Sequence, residues 1–358
     1  MKFFFLIIVI LFFKNYAYCH NLFDTQIFNV EFTSKNIEDD KVNEIRKIKK
    51  ESLLSILKQV LEKNDYDQIN IFLNEDLINT LIQNIIINEE KIINDKYMAK
   101  IKVNYNKRKI IDFFRIKQIP YVDYHPDKFL LIIYEKNELN NNLFTKKNNY
   151  YKFFKDNLKI NNLFKIPNLD INDRFILNEK DIINRDLEKI NNFYKKYKSE
   201  ENIIVIIKND KNKIIYDLIL YSNGNILEKK SLSNSNNLNL FFKLLENESL
   251  NLWKQLNQIQ NKFLNKIVCR VNYFNMLELK EIRSNLNNVS VINNLIKKTI
   301  AYRYIEYDFY YYGNLKILSK IMELNNLKIN YDENYCIIKL IWLNKKVLFL
   351  NLKILKMN

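Results

Sequence analysis

The sequence predicts an α/β (α+β) protein of three small mixed modules, the last of them a ferredoxin-like βαββαβ unit. Apolar patterns of helical period alternate with short β-branched runs along most of the chain. A hydrophobic content of 47% is enough to form packed cores. A length of 358 residues is more than one core usually holds, so several domains are expected.

An apolar stretch near the amino terminus predicts export. Phe3 to Phe13 is an unbroken apolar run with Lys2 before it and Lys14 after it. A basic start followed by a short apolar run is typical of a secretory signal peptide. Eleven helical residues rise only about 16 Å, which is too short for a hydrocarbon core of about 30 Å. We therefore predict a signal peptide at residues 1–19 and a periplasmic or secreted protein that uses the general export route.

The end of the leader predicts the cleavage site. Ala17 and Cys19 supply the small residues that signal peptidase requires, so cleavage is predicted between Cys19 and His20. Two alternatives to this cleavage remain. In the first, Cys19 carries a lipid that anchors the mature chain. In the second, the leader is not cleaved and is itself the membrane anchor. In both alternatives the chain meets the membrane only through this segment.

Residues 20–119 are predicted to form an N-terminal α/β module. Apolar and polar residues alternate along its predicted strands, and its predicted helices have an apolar face opposite lysine-rich positions. The predicted elements are a strand at Phe28–Phe32, helices at Val42–Leu61 and Glu75–Glu90, a strand at Tyr97–Tyr105 and a helix at Lys107–Lys117.

Residues 120–263 are predicted to form a middle α/β module with a mixed sheet. The continuous apolar run Phe129–Tyr134 is typical of a strand that is buried on both faces, and Asn223-Gly224 is a strong hairpin signal. The other predicted strands are Leu163–Ile166, Ile203–Ile207, Ile214–Tyr221 and Ile226–Leu232, and the predicted helices are Tyr150–Phe154, Asp181–Tyr197 and Phe241–Leu256.

Residues 264–343 are predicted to form the third module, followed by a basic tail at 344–358. Asn275 with Glu278 three residues later is a helix-capping pattern. The order βαββαβ is the split-βαβ, ferredoxin-like arrangement. Its predicted strands are Ile267–Tyr273, Val291–Ile300, Tyr302–Tyr312 and Cys336–Trp342, with helices beginning at Asn275 and spanning Leu315–Met322.

Five stretches also carry a family resemblance. They are Ser52–Leu61, Tyr97–Val103, Ile166–Asp173, Ile203–Ile206 and Tyr302–Gly313. In pattern and spacing the chain resembles an uncharacterised proteobacterial envelope family, domain of unknown function 2066, over most of its mature length. It departs from that family where glycine and alanine of the middle region are replaced mostly by Asn, Lys and Ile. The resemblance implies an exported, non-catalytic periplasmic protein and brings no catalytic residues.

The charge of the chain has two interpretations. Lys and Arg number 57 against 41 Asp and Glu, a net charge of +16. Such a charge is typical of proteins that bind nucleic acid or acidic membranes. However, Lys, Asn, Ile, Tyr and Phe are abundant while there are only 2 Gly and 3 Pro, which is the composition expected of an A- and T-rich genome. We favour the genomic explanation.

The sequence lacks the residue patterns on which most types of enzyme catalysis depend. The glycines Gly224 and Gly313 lie far apart, which excludes phosphate-cradling loops. The two histidines of the chain, His20 and His125, fall in no catalytic motif, and no serine, zinc or thiol catalytic motif is present. We therefore predict that the protein is not an enzyme and has no catalytic residues, no cofactor and no metal site.

Two alternative functions depend on specific residues. Asp170, Asp173, Glu179 and Asp181 lie close in sequence and could serve a divalent-metal-dependent hydrolase, although helix capping is the preferred interpretation. Tyr302 and Tyr304 open an aromatic run on the third module, where RNA-recognition domains of similar topology stack bases. A basic nucleic-acid binder is thus the second alternative.

Two cysteines, Cys269 and Cys336, fall on the first and last predicted strands of the third module. These strands are neighbours in the predicted topology, so a disulfide and a pair of buried thiols are both open. Taken together, the sequence predicts a non-catalytic periplasmic protein that acts through contacts with unknown envelope proteins. No small-molecule substrate is evident, and nucleic acid is not the expected partner.

Overall fold

A computed structural model describes residues 22–136, 141–145, 148–156, 163–210, 213–222, 224–233, 237–332 and 335–341. The predicted signal peptide with Cys19 and His20, Trp342 and the basic tail lie outside these residues. The predicted fold class is confirmed, because helices and strands are mixed and the strands form three sheets. No helix in the described part of the chain has the length and apolar composition that a membrane span requires.

The described residues group into two compact units. Those within Met1–Val60 and Tyr66–Phe113 form the first unit, and those within Leu61–Asp65 and Phe114–Asn358 form the second. The three-module boundaries given above stay a prediction.

A three-stranded antiparallel sheet with the order β1-β3-β2 organises the first unit. Its core forms where helix α1 packs on β3, whose inward residues Tyr97, Ile101 and Val103 are buried. From Phe28 to Ile116 the elements are β1 Phe28–Thr33, α1 Ile37–Val60, α2 Lys63–Asn70, α3 Glu75–Leu81, β2 Ile82–Ile93, β3 Lys96–Tyr105 and α4 Lys107–Ile116. The first residues of α2 and the last residues of α4 belong to the second unit.

One predicted helix of this unit is wrong in its second half. The helix predicted at Glu75–Glu90 ends at Leu81, and Ile82–Ile93 is strand β2. Ile85 lies opposite Val103 of β3 in this ladder. β-Branched isoleucines are restricted in χ1 and pack well on a pleated surface, so the isoleucine-rich run extends once β3 offers it a partner.

The second unit contains a mixed sheet in its amino-terminal half. β4 and β7 are parallel, β7, β8 and β9 are antiparallel neighbours, and the short β5 and β6 lie along the other edge of β4. The elements are β4 Phe129–Lys136, β5 Asn141–Asn142, α5 Asn149–Asp156, β6 Phe164–Lys165, α6 Ile171–Ile176, α7 Glu179–Ile183, α8 Leu187–Lys196, β7 Glu201–Asp210, β8 Lys213–Ser222, β9 Asn225–Ser233 and α9 Leu238–Asn257.

Short-range sequence signals predicted one feature of this half of the unit correctly and another wrongly. The predicted hairpin is present, because Gly224 adopts φ +82° in the turn and Ser222 lies opposite Asn225. The single helix predicted at Asp181–Tyr197 is instead α7 and α8. Arg185 between them has φ +59°, and the Asp186 side chain caps α8. A capping aspartate starts a new helix more readily than it continues an old one.

A five-stranded sheet with the order β11-β12-β10-β14-β13 forms the carboxy-terminal half of the second unit. β12 lies between β10 and β11 and is antiparallel to both, which is the expected split-βαβ arrangement. The elements are β10 Leu264–Asn272, α10 Met276–Asn288, β11 Ile292–Ala301, β12 Tyr304–Tyr312, α11 Leu315–Leu324, β13 Leu327–Asp332 and β14 Tyr335–Leu340.

This sheet contains one strand that the sequence analysis missed. β13 pairs antiparallel with β14, and β14 lies parallel to β10, so the order of elements is βαββαββ. Leu327 and Ile329 of β13 are buried while Lys328 between them is exposed. This alternation is a strand signal, although it is only a few residues long.

Candidate functional site

Five exposed apolar side chains lie at one end of the carboxy-terminal sheet. We call them the end patch: Phe274, Met276, Leu277, Ile300 and Tyr302. Their exposed fractions run from 68% at Met276 to 83% at Tyr302. The strand β10 and the parallel strand β11 both end here, and α10 begins here, so three chain segments bring these residues to the same end of the sheet.

The start of α10 holds the first three members of the end patch in place. The Asn275 side chain accepts a hydrogen bond from the backbone N–H of Glu278 at 2.9 Å. In return, Glu278 Oε2 accepts from the backbone N–H of Phe274 at 2.7 Å. The helix starts at this predicted cap and turns Leu279 into the core, which leaves Met276 and Leu277 exposed.

The β11–β12 turn places the last two members. The backbone N–H of Tyr273 donates to the carbonyl oxygen of Arg303 at 3.0 Å, which ties this turn to the chain that leaves β10. Arg303 adopts φ +65°, and its guanidinium lies 5.0 Å from the ring centre of Tyr302. Ile300 lies opposite Ile305 at the end of β11. Hydrogen bonds of the backbone therefore hold the chain segments that carry the end patch.

The structure separates Tyr302 from Tyr304, the two residues predicted as a nucleic-acid face. The predicted strand Tyr302–Tyr312 begins at Tyr304, so Tyr302 lies in the turn and Tyr304 on the sheet. The Arg270 guanidinium lies 4.4 Å from the ring centre of Tyr304 and forms an ion pair of 2.8 Å with Glu306. Since Arg270 already stacks on Tyr304, this ring is not a free platform for a base.

The neighbouring cations on this face of the sheet are also paired. Lys266 Nζ lies 2.8 Å from Asp308 Oδ2, and Lys298 Nζ lies 3.7 Å from Asp308 Oδ1. The hydrogen bond from Lys266 lowers the pKa of Asp308, so this carboxylate is charged at neutral pH. Neighbouring carboxylates therefore balance most of the positive charge that Arg270, Lys266 and Lys298 bring to this face of the sheet.

The predicted carboxylate cluster is divided among helix caps and an ion pair. Asp170 caps α6, and Asp181 forms a capping box with Asn178 at α7. Asp173 is fully buried, and Lys196 Nζ lies 2.7 Å from its Oδ1.

Asp173 accepts two further hydrogen bonds. The backbone N–H of Leu169 donates to it at 3.1 Å, and the Tyr197 hydroxyl donates at 2.8 Å. The hydrogen bond to Asp173 raises the pKa of Lys196, which therefore is a fixed cation. No group of three or more His, Cys, Asp or Glu side chains suited to a metal ion occurs in the described part of the chain.

The two cysteines of the carboxy-terminal sheet form a disulfide. Cys269 of β10 lies opposite Cys336 of β14, and their Cα atoms are 4.4 Å apart. Both residues are fully buried. The sequence left open a disulfide and a pair of buried thiols, and the structure contains the disulfide. It is consistent with an oxidising location outside the cytoplasm.

Comparison of the chain with known protein families, curated proteins and solved structures gave no match. The resemblance to the envelope family of unknown function stays a prediction.

The sequence analysis did not select Phe274, Met276, Leu277 or Ile300 as functional. A signal for one of them was present. The helical period that places Leu279 in the core puts Leu277 on the opposite side of α10, where a large apolar residue has no packing role.

Proposed function

We propose that this protein is an exported, non-catalytic protein of the periplasm that binds a partner protein of the cell envelope through the end patch. The observation that carries the proposal is the grouping of five large apolar side chains, all at least 68% exposed, at one end of the sheet. Exposed apolar groups of this kind are typical of interaction sites. The predicted signal peptide and the disulfide support the location.

The composition and charge of the end patch favour a protein as its occupant. Aromatic residues, Met and Arg are enriched at protein interfaces, and Tyr302 with Arg303 is a pair of the hot-spot kind. Arg303 follows Tyr302 in the turn, and Lys280 and Glu281 are exposed on α10. A complementary partner surface is therefore apolar at its centre and polar at its rim.

Affinity capture tests the proposal. The exported chain is used as bait in an extract of the cell envelope, beside a variant with Phe274→Ser, Leu277→Ser and Tyr302→Ser. A matched control carries Ile116→Ser, Ile171→Ser and Phe175→Ser, which remove apolar side chains 68–79% exposed elsewhere on the second unit. Because all six positions are exposed, we expect equal thermal stability.

The expected result is one protein that is recovered by the wild type and the control but not by the end-patch variant. Recovery of the same protein by the end-patch variant would contradict the proposal. Binding of the wild type to anionic vesicles in place of a protein would also contradict it.

A further inference from the structure

The strand β9 is an open edge of its sheet. In the described part of the chain it pairs only with β8. Its register with β8 runs without a shift from Asn225 to Ser233, whereas two other long edge strands, β2 and β11, are interrupted by register shifts. Such irregularities are one of the ways in which proteins keep an edge strand from pairing with another chain. The edge of β9 has no protection of this kind.

The hairpin geometry defines which backbone groups of β9 face the open edge. Ser222 and Asn225 flank a two-residue turn, and a pair in this position is hydrogen-bonded. Hydrogen-bonded pairs recur at every second residue of an antiparallel ladder, so the odd-numbered residues of β9 bond to β8. The backbone N–H and C=O groups of the even-numbered residues therefore point away from β8. These residues are Ile226, Glu228, Lys230 and Leu232.

The side chains of these four residues are complementary to themselves in antiparallel order. All four lie on one face of the strand, and in chain order they are apolar, acidic, basic and apolar. When two copies of β9 pair about a two-fold axis at Lys229, Ile226 of each copy lies opposite Leu232 of the other, and Glu228 lies opposite Lys230. Apolar pairs and pairs of opposite charge at directly opposite positions stabilise a sheet.

The charges beside these pairs continue the same alternation. Arg185 Nε lies 2.6 Å from Glu228 Oε1, and the Glu228 side chain is still 48% exposed, so it is open to a second cation. Asp217 of β8 lies opposite Lys230. Across two joined sheets the order of charges is therefore Asp217 and Lys230 of one copy, then Glu228 and Arg185 of the other. Each neighbour in this row has the opposite sign.

The neighbouring registers lack this match. Moving the pairing by one hydrogen-bonded pair in either direction places Glu228 opposite Glu228, or Lys230 opposite Lys230, of the second copy. Like charges at directly opposite positions destabilise a sheet. In the favoured register Lys229 meets its own counterpart at the axis, on the other face of the strand. There Lys229 Nζ lies 3.0 Å from Glu248 Oε1, so each copy supplies a carboxylate that balances its lysine.

We propose that the protein forms a homodimer in which the β9 strands of two copies pair antiparallel about a two-fold axis at Lys229. The pairing joins the two sheets and covers Leu232, which is 45% exposed in the single chain, with Ile226 of the second copy. It is a closed contact, because each open edge satisfies the other. The dimer does not use the end patch, so it does not rest on the proposed function.

An exchange of charges tests the contact. Sedimentation velocity on the exported chain is expected to show a dimer. Lys230→Glu places carboxylates opposite carboxylates in both pairs, and Glu228→Lys places ammonium groups opposite ammonium groups, so each variant alone should dimerise at least about tenfold more weakly. An equimolar mixture of the two variants restores opposite charges in both pairs and should dimerise again. Lys243→Glu, the same change of charge at an exposed position of α9, is the control and should stay dimeric.

A cysteine at the axis tests the register. Lys229 is the one position of β9 that lies opposite itself, and Cα atoms of such a non-hydrogen-bonded pair are about 4.5 Å apart, which a disulfide can span. Under mild oxidation Lys229→Cys is therefore expected to give a covalent dimer. Ser231→Cys, two residues further on the same face of the strand, is expected to give none.

Three results would overturn the inference. The first is a wild type that is monomeric at every concentration, and the second is a mixture of the two charge variants that does not dimerise. The third is a dimer that persists in Lys230→Glu and is lost in the end-patch variant, since this result would assign the dimer to the end patch. Dimerisation of the mixture also shows that both charge variants are folded.

Discussion

Cys269 and Cys336 are direct neighbours on the parallel strands β10 and β14, and a disulfide joins them across 67 residues of chain. The bond fixes the strand β14 to the first strand of the same sheet. Because it closes a long loop, it restricts the unfolded chain strongly.

The first prediction concerns this bond. The double variant Cys269→Ala with Cys336→Ala is expected to lower the free energy of unfolding by about 2–4 kcal/mol, as measured by denaturant titration. A reducing agent should destabilise the wild type by a similar amount and leave the double variant unchanged. Two titratable thiols in the native, unreduced wild type would show that the bond is absent.

The second prediction concerns the buried pair of Asp173 and Lys196. Asp173→Asn removes the charge that holds the Lys196 ammonium and weakens an acceptor of three hydrogen bonds. Because Lys196 is 29% exposed and keeps some hydration, we expect a loss of about 1–3 kcal/mol in unfolding free energy. The N-cap substitution Asp186→Asn at α8, where Asn is a comparable capping residue, is the control and should cost much less.

The same pair predicts the response to divalent cations. The Lys196 ammonium lies 2.7 Å from Asp173 and 3.7 Å from Asp170, in the position that a metal ion would need. We therefore expect Ca²⁺ and Mg²⁺ to leave the thermal midpoint unchanged. A rise in the midpoint that Asp173→Asn abolishes would instead favour the metal-dependent hydrolase.

The third prediction is a dependence on pH at Glu201. Burial raises the pKa of this side chain above its ordinary value of 4.5, although a hydrogen bond from Ser222 opposes the shift. A carboxyl whose folded pKa is raised stabilises the fold below about pH 4.5, and this contribution is lost as the pH rises through the folded pKa.

Glu201→Gln should therefore gain stability relative to the wild type between pH 4.5 and neutral pH. The measurement is the difference in unfolding free energy at a series of pH values. Glu200→Gln is the control, because Glu200 is 67% exposed and should show little change. A difference for Glu201→Gln that is constant with pH would contradict the account.

Local sequence signals were sufficient for much of the fold. Alternation predicted β3, the continuous apolar run predicted β4, and Asn223-Gly224 predicted the β8–β9 hairpin. The Asn275 cap was predicted with its partner Glu278. In each of these cases the sequence signal that made the prediction lies within a few residues of the chain.

The remaining features depend on contacts between separate elements of the fold. Ile82–Ile93 became a strand because β3 pairs with it, and periodicity alone could not distinguish this from a helix. The rings of Tyr194 and Tyr221 come into contact only when α8 packs beside β8. The pairing of Arg270 with Glu306 could not be read from composition either, although it largely balances the charge beside Tyr304.

The fourth prediction concerns nucleic acid. Because Arg270, Lys266 and Lys298 are paired with carboxylates on the sheet, we expect no measurable affinity for a single-stranded oligonucleotide, even at low salt. Fluorescence anisotropy across a salt series checks this. Binding that weakens steeply with salt and is lost in Tyr304→Ala would support the nucleic-acid alternative.

The central claim, that the end patch is covered by a partner protein, is tested most directly by photocrosslinking. A photoreactive side chain replaces Leu277, which is 79% exposed, or the control residue Phe175, which is 78% exposed. The labelled chains are then irradiated in envelope extract. The account predicts a discrete protein adduct from position 277 and none from position 175. The same adducts from both positions, or none from position 277, would contradict it.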